Sequence, residues 1–290
     1  GQLLLRTAAA GSVPAPDTWI ILDTDEPGEE NADFEMRSRG YHFWTRTDAA
    51  GHFHLDNLRP GHYTLFASGA NQFEPFKQAG ITVQPHQTTH LDILTWPTIT
   101  HGELLWQIGA ADRSTAEFHD GAQPLYRNYD TFRRYFDAFP HDVTFTIGQS
   151  HEATDWEFAQ WNWYNEKPYW TIRFTVNAAD LPAKGAATLT LGIASAQTSG
   201  LLVGVNGKNI ARLDLPKTGG AGYRSGAQDS MYLVKYVPFD AALLHPGQNE
   251  ITLGQARTEK FTPELLAKDL RPKNDIMYDA IRLEVAPAAP

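Results

Sequence analysis

The sequence predicts an all-β protein of two consecutive sandwiches, a small one over residues 1–97 and a larger one over residues 98–290. Two observations carry this. Short stretches of alternating apolar and polar residues recur at close intervals, broken by clusters of Gly, Pro, Asn and Asp, while helical periodicity is scarce. The segment Trp96-Pro97-Thr98-Ile99-Thr100 then separates short, closely spaced strands from longer strands with longer loops.

In the first region, residues 3–6, 18–22, 41–46, 52–55, 62–67, 81–83 and 90–94 read as strands. Seven such strands in under 100 residues suit a fibronectin-type sandwich. Residues 23–35 combine acidic charge with Pro27 and Gly28 and read as a loop. Asp48-Ala49-Ala50-Gly51 and Arg59-Pro60-Gly61 read as turns, since Gly permits left-handed backbone and Pro presets the approach. In the second region the expected strands are 169–176, 187–193, 201–205, 210–215, 231–237, 250–253 and 278–285, a set that suits a jelly roll. Residues 131–139 read as a short helix and 263–266 as one helical turn with Pro at its start. The tail 286–290 is expected to fray.

Composition narrows the function. The chain has 290 residues, 42% of them hydrophobic and 20% charged, enough for two domains with their own cores. It has no cysteine, which excludes disulfides, thiolate metal sites and thiol nucleophiles. With 24 basic and 34 acidic residues, the net charge of −10 argues against nucleic acid and anionic membrane as partners. Toward an anionic polymer that field is mildly repulsive, so a site for one needs local Arg or Lys. No run approaches the roughly 18 apolar residues of a membrane span. The chain begins Gly1-Gln2-Leu3 with almost nothing ahead of its first expected strand, and it reads as a piece of something longer.

Several motifs are more specific. The first region contains Gly40-Tyr41-His42-Phe43-Trp44-Thr45-Arg46-Thr47-Asp48, Gly51-His52-Phe53 and Leu58-Arg59-Pro60-Gly61-His62-Tyr63-Thr64-Leu65. The second contains Trp106-Gln107-Ile108-Gly109 with Asp112-Arg113 and Glu117-Phe118. Phe145-Thr146-Ile147-Gly148-Gln149-Ser150, Val205-Asn206-Gly207, Gly247-Gln248-Asn249 and Ile276-Met277-Tyr278-Asp279 follow. In this order the chain resembles the two C-terminal domains of rhamnogalacturonan lyases, polysaccharide lyase family 4. The resemblance implies a fibronectin type III-like (carboxypeptidase-regulatory-like) domain over 1–97 and a carbohydrate-binding-module-like jelly roll, galactose-binding-like, over 98–290. It implies a secreted or periplasmic pectin-degrading system, in which β-elimination of the rhamnogalacturonan I backbone belongs to an N-terminal catalytic domain. No position of this chain inherits that domain's catalytic Lys and His. The expected partners are pectic polysaccharide and the catalytic domain, with a glycan-free interaction module and an independent lyase as the alternatives.

Sugars are held by flat aromatic faces flanked by hydrogen-bonding side chains. The densest aromatic run here spans residues 156–170. Strand alternation puts Trp170 in the core, whereas Trp161-Asn162-Trp163-Tyr164, ahead of Pro168, reads as a loop. Exposed, Trp161, Trp163 and Tyr164 would form a sugar platform; packed down, they would pin the loop. Trp156 beside Asp155, Arg113 beside Asp112, and Tyr223-Arg224 complete the carbohydrate-binding candidates. Arg113 can fork onto a uronate carboxylate or pair with Glu117. The chain contains no Gly-x-Ser-x-Gly elbow, and no catalytic set is assigned. His52 and His54 share an expected strand face, but no third metal ligand accompanies them. No cofactor is required; a structural Ca²⁺, frequent in jelly-roll binding modules, is allowed for without assigned ligands.

Overall fold

The computed structural model describes residues 1–7, 10–28, 32–37, 40–69, 71–122, 138–139, 142–162, 169–196, 200–216, 231–256 and 274–288. The chain divides into two compact units, Gly1–Ile99 and Thr100–Pro290.

In the first unit, β1 (Gln2–Thr7) pairs antiparallel with β2 (Gly11–Pro14) and parallel with β7 (Ile93–Pro97). A second sheet runs in the order β4 (His42–Arg46), β3 (Trp19–Thr24), β5 (Gly61–Gly69), β6 (Gln72–Val83). Leu3, Leu94 and Trp96 of the first sheet meet Ile20, Leu22, Tyr63, Leu65 and Ile81 of the second in one buried core. Each such side chain contributes roughly 1.5–3 kcal/mol by leaving water. The Tyr63 hydroxyl donates to the Arg59 carbonyl at 2.6 Å across the Arg59-Pro60-Gly61 corner, so this buried phenol keeps its hydrogen bond. At the 48–51 turn the Asp48 carboxylate accepts from the amides of Ala50 and His52, and Gly51 sits at φ +79°. A Cβ on Gly51 would strike the Leu3 carbonyl.

Three expectations change here. Residues 52–55 are not a strand: His52 makes a single bridge to Gln2, and His52 and His54 turn to different carboxylates, Asp48 and Asp56. β6 begins nine residues earlier than alternation indicated, because Pro75 and Gly80 interrupt the pattern without ending the pairing to β5. The acidic stretch is not wholly loop, since Asp23 lies within β3, buried against His42.

The second unit is a sandwich of two sheets. One is ordered β10 (Gln160–Asn162), β17 (Asn274–Pro287), β12 (Gly185–Ala196), β15 (Leu233–Asp240), with β8 (Glu103–Gly109) also on β17. The other is ordered β14 (Lys208–Asp214), β13 (Gly200–Val205), β16 (Gly247–Ala256), β11 (Tyr169–Val176), β9 (Thr144–Thr146). β11 alternates as its sequence indicates, with Trp170, Ile172, Phe174 and Val176 buried. The tail is ordered further than expected: β17 pairs through Pro287, and the Ala288 amide reaches the Lys184 carbonyl at 2.9 Å. The expected helices at 131–139 and 263–266 lie outside the described residues, apart from 138–139.

The core centres on Trp156. It follows a one-turn helix, α1 (Glu152–Asp155), and meets Trp170 edge-to-face at 4.7 Å, Phe145 at 5.7 Å and Tyr278 at 6.0 Å. Gln160 ties the two sheets together: its amide donates to the Leu253 carbonyl and its oxygen accepts from the Tyr278 hydroxyl, both at 2.9 Å. In denaturant titration, Trp156→Ala and Trp161→Ala are each expected to destabilise the second unit by about 3–5 kcal/mol. The exposed Trp44→Ala should stay within about 0.5 kcal/mol of the parent; an unchanged transition for Trp161→Ala would contradict this core.

Candidate functional site

The tryptophans expected to form a platform are in the interior. Trp156 is 0% and Trp161 1% exposed. The physical reason is pairing: residues 160–162 form β10 against Asn274–Ile276 of β17, and Trp161 packs edge-to-face on Phe158 inside the sandwich. Neither indole offers a ring face to a sugar, which corrects the loop reading. Trp163, Tyr164, Tyr223 and Arg224 lie outside the described residues. Arg113 remains, at φ +68°, with its guanidinium 4.5 Å from the centre of the Tyr232 ring.

Around Arg113 the structure assembles a polar and aromatic face that aromatic density did not reveal. On β17, Ile281, Leu283 and Val285 enter the core, so Arg282 and Glu284 point the other way. The same alternation turns Gln107 on β8, Thr190 on β12 and Tyr236 on β15 away from that core, although Thr190 is itself buried. Strand register then lines these residues up as Gln107, Arg282, Thr190 and Tyr236 across four neighbouring strands. Arg282 Nε donates to Gln107 Oε1 at 2.7 Å, and the Gln107 amide donates on to the Gly109 carbonyl at 2.7 Å. The His101 ring lies 4.8 Å from that of Tyr236. The alternation Ile281-Arg282-Leu283-Glu284-Val285 was the available sequence signal for this row.

Next to the row, β17 bulges. Gly192 faces Ala280 and Ile193 faces Tyr278, which leaves Asp279 without an opposite on β12. Asp279 Oδ1 accepts from the Ser114 amide at 3.1 Å, and Oδ2 accepts from the Tyr232 hydroxyl at 2.6 Å. Gly109, at φ +70°, lets β8 pass the bulge, since a Cβ there would collide with the Asp279 carbonyl.

Burial sets the electrostatics. It pushes the Asp279 carboxyl well above the usual range; the Tyr232 hydrogen bond opposes this, and the Asp112 and Glu117 charges add to it. Burial likewise raises Glu117, against the Ala110 amide that donates to it at 2.9 Å. Burial lowers Arg282, with Glu284 opposing. The face thus offers a guanidinium already partly stripped of water, two phenols and an amide, a set that can hydrogen-bond sugar hydroxyls and take a carboxylate.

Among the described residues, one group of three metal-ligating side chains occurs: His119, Asp120 and Glu157, with donor atoms within 4.8 Å of one another. His119 Nδ1 lies 2.9 Å from Glu157 Oε2. An imidazole-containing trio does not suit Ca²⁺, which collects about six to eight oxygens. No described helix is long and apolar enough to cross a membrane.

Comparison with known proteins follows the same division. Residues 12–91 match the family model described as polysaccharide lyase family 4, domain II, and residues 104–283 match domain III, termed CBM-like. A rhamnogalacturonate lyase of Dickeya dadantii (strain 3937) is 31% identical over 284 residues, covering 94% of this chain and 42% of the relative. A probable rhamnogalacturonate lyase B of Aspergillus terreus (strain NIH 2624 / FGSC A1156) is 26% identical, covering 99% and 47%. The chain therefore spans less than half the length of either relative. Among solved structures, a family 35 carbohydrate binding module from an environmental isolate aligns at 18% identity over 51% of this chain and 88% of that one, with a TM-score of 0.27, too low to carry an argument.

Asp275 on β17 is fully buried, neither carboxylate oxygen makes a hydrogen bond with the described residues, and burial pushes its pKa up from 3.8 to about 7. Below pH ~4 the group is neutral folded and unfolded, so it has no effect on stability. Between pH 4 and 7 the unfolded carboxyl ionises first, and stability falls as pH rises, by about 4 kcal/mol in all before levelling off. Asp275→Asn should remove this slope and be the more stable protein at pH 8, as read from urea midpoints across the range.

Proposed function

Because the chain belongs to polysaccharide lyase family 4, we propose that it is the C-terminal, non-catalytic part of a rhamnogalacturonan lyase and that it holds pectic polysaccharide for a catalytic domain. The observation that carries this reading is the ordered match of both units to domains II and III of that family. We read the larger sandwich as a jelly roll of carbohydrate-binding type. Its contact surface is Gln107, Arg282 and Tyr236 with the neighbouring Tyr232 and Arg113, and the site of action is extracellular or periplasmic.

The chemistry of that row supports the assignment. Rhamnogalacturonan alternates a deoxy sugar with a uronate, so a binding surface needs both an apolar contact and a cation. Tyr236 supplies a ring and a hydroxyl. Arg282 supplies the fork, positioned by its bond to Gln107. A protein with net charge −10 repels polyuronate at long range, so affinity has to come from such short-range contacts and falls less steeply with salt than binding by a basic patch would. β-Elimination needs a base at the sugar C5 proton and charge stabilisation for the uronate; the proposal leaves both to the catalytic domain.

Calorimetry with rhamnogalacturonan oligosaccharides tests the surface. Tyr236→Ala and Arg282→Gln should each weaken binding about tenfold, or ~1.4 kcal/mol, with unfolding curves confirming that each variant is folded. Unchanged affinity in both would remove this face from the proposal. The chain alone should release no unsaturated product from rhamnogalacturonan; steady accumulation of unsaturated-uronide absorbance by the pure chain would overturn the non-catalytic assignment.

A further inference from the structure

The outward face of the β4-β3-β5-β6 sheet in the first unit carries aromatic rings that its core does not use. Alternation sends Ile20, Leu22 and Leu65 inward, and it sends Trp19, Ile21, Trp44, Arg46 and Phe66 outward. Register sets Trp44 beside Ile21 and Arg46 beside Trp19. The two indoles are therefore diagonal neighbours on adjacent strands, about 7–8 Å apart at that spacing. Phe66 is covered, with Phe34 at 5.8 Å and the Arg37 guanidinium at 5.1 Å. Trp44 is not: it is 65% exposed, and Trp19 is 37% exposed.

We infer that this face is a second glycan platform, on which Trp44 stacks a ring of a uronate-containing chain while Trp19, lying under Arg46, flanks it and holds Arg46 to take a carboxylate. Arg46 lies over Trp19 at 4.1 Å, and Asp17 holds its Nη1 at 2.6 Å. Its Nε and Nη2 make no hydrogen bond with the described residues, so one edge of the fork stays available beside the ring. Beside Trp44, on the edge strand, a hollow of ≈ 280 Å³ is lined by His42, Thr45, Leu55 and the hydrogen-bonded pair His54–Asp56. Ring faces next to pairs of hydrogen-bonding groups match the amphipathic build of a pyranose.

Area decides against a protein occupant. Two indoles at these exposures offer on the order of 250 Å² of ring surface, against about 800 Å² per partner in a stable protein interface. One exposed ion pair, Arg46–Asp17, bounds the strip at the Trp19 end, with side chains 43% and 77% exposed. A protein interface on this face would have to bury that pair, whereas a single sugar chain lying along the indoles leaves Asp17 in water.

The choice of a uronate polymer rests on the function proposed above; the platform itself does not. Affinity electrophoresis of the whole chain in gels containing rhamnogalacturonan, polygalacturonate or neutral galactan tests both. Trp44→Ala and Trp19→Ala should each weaken retention by rhamnogalacturonan about tenfold. Arg46→Gln should weaken retention by the two uronate polymers only, more so at low salt. If Trp44→Ala and Trp19→Ala are retained like the parent while Tyr236→Ala is not, the platform is wrong and the proposed function stands; the indoles then belong to another kind of partner. If Trp44→Ala loses retention and Tyr236→Ala keeps it, the platform stands and the second-unit face falls. If no uronate polymer retains the parent, the uronate assignment falls with the proposed function, and if galactan does not retain it either, the platform falls too.

Discussion

The second unit depends on the two-sidedness of one strand. β17 is hydrogen-bonded to β12 along most of its length, to β8 at one end and to β10 at the other. Tyr278, Ile281, Leu283 and Val285 face the core, and a bulge at Asp279 moves the inward set from even to odd positions. Without that shift, either Tyr278 or Leu283 would turn to the outer face. The bulge also aims Asp279 at the Ser114 amide and the Tyr232 hydroxyl. Core packing at Trp156 and the polar row at Arg282 are thus set by the same strand, and a change in its register would disturb both.

Charge placement follows from burial more than from net charge. The chain as a whole is acidic, yet the groups suited to an anionic sugar are arginines held against aromatic rings: Arg113 on Tyr232 and Arg46 on Trp19. Stacking a guanidinium on a ring fixes its plane and keeps its edge for hydrogen bonding. Arg282 is held instead by Gln107, whose Oε1 accepts from its Nε, with the Glu284 charge acting on it as well. A carboxylate ligand meeting these groups loses less water-reordering freedom than it would on a mobile lysine.

Alternation made much of the fold legible. β11 spans the residues that alternation indicated, and β3, β5, β13, β15 and β17 overlap their expected segments. Pairing was less legible, because hydrogen bonds to a neighbour can carry a strand through residues that break its pattern. β6 runs through Pro75 and Gly80, and β17 runs through Pro287. The proposed site was legible in its chemistry and not in its residues. The need for local cations was readable from the net charge, and Arg113 was singled out from the Asp112-Arg113 motif. The row Gln107, Arg282, Thr190, Tyr236 comes from four segments up to 175 positions apart and meets only through register.

The fates of the tryptophans show why aromatic density misleads in a β protein. Trp156, Trp161 and Trp170 fall in the densest cluster, and all three are buried, because a sandwich of this size needs bulky rings to fill the space between its sheets. Trp19 and Trp44 lie outside that cluster, each within a paired strand of the first unit. Exposure is therefore decided by parity within a paired strand: an indole one position out of phase with the apolar set has nowhere to go but the outer face. Burying such a ring in water-free contact is worth several kcal/mol, so leaving two of them side by side on an open sheet forgoes stability that a partner surface can recover. That deficit, more than any count of aromatics, is what sets these two rings apart from the buried ones.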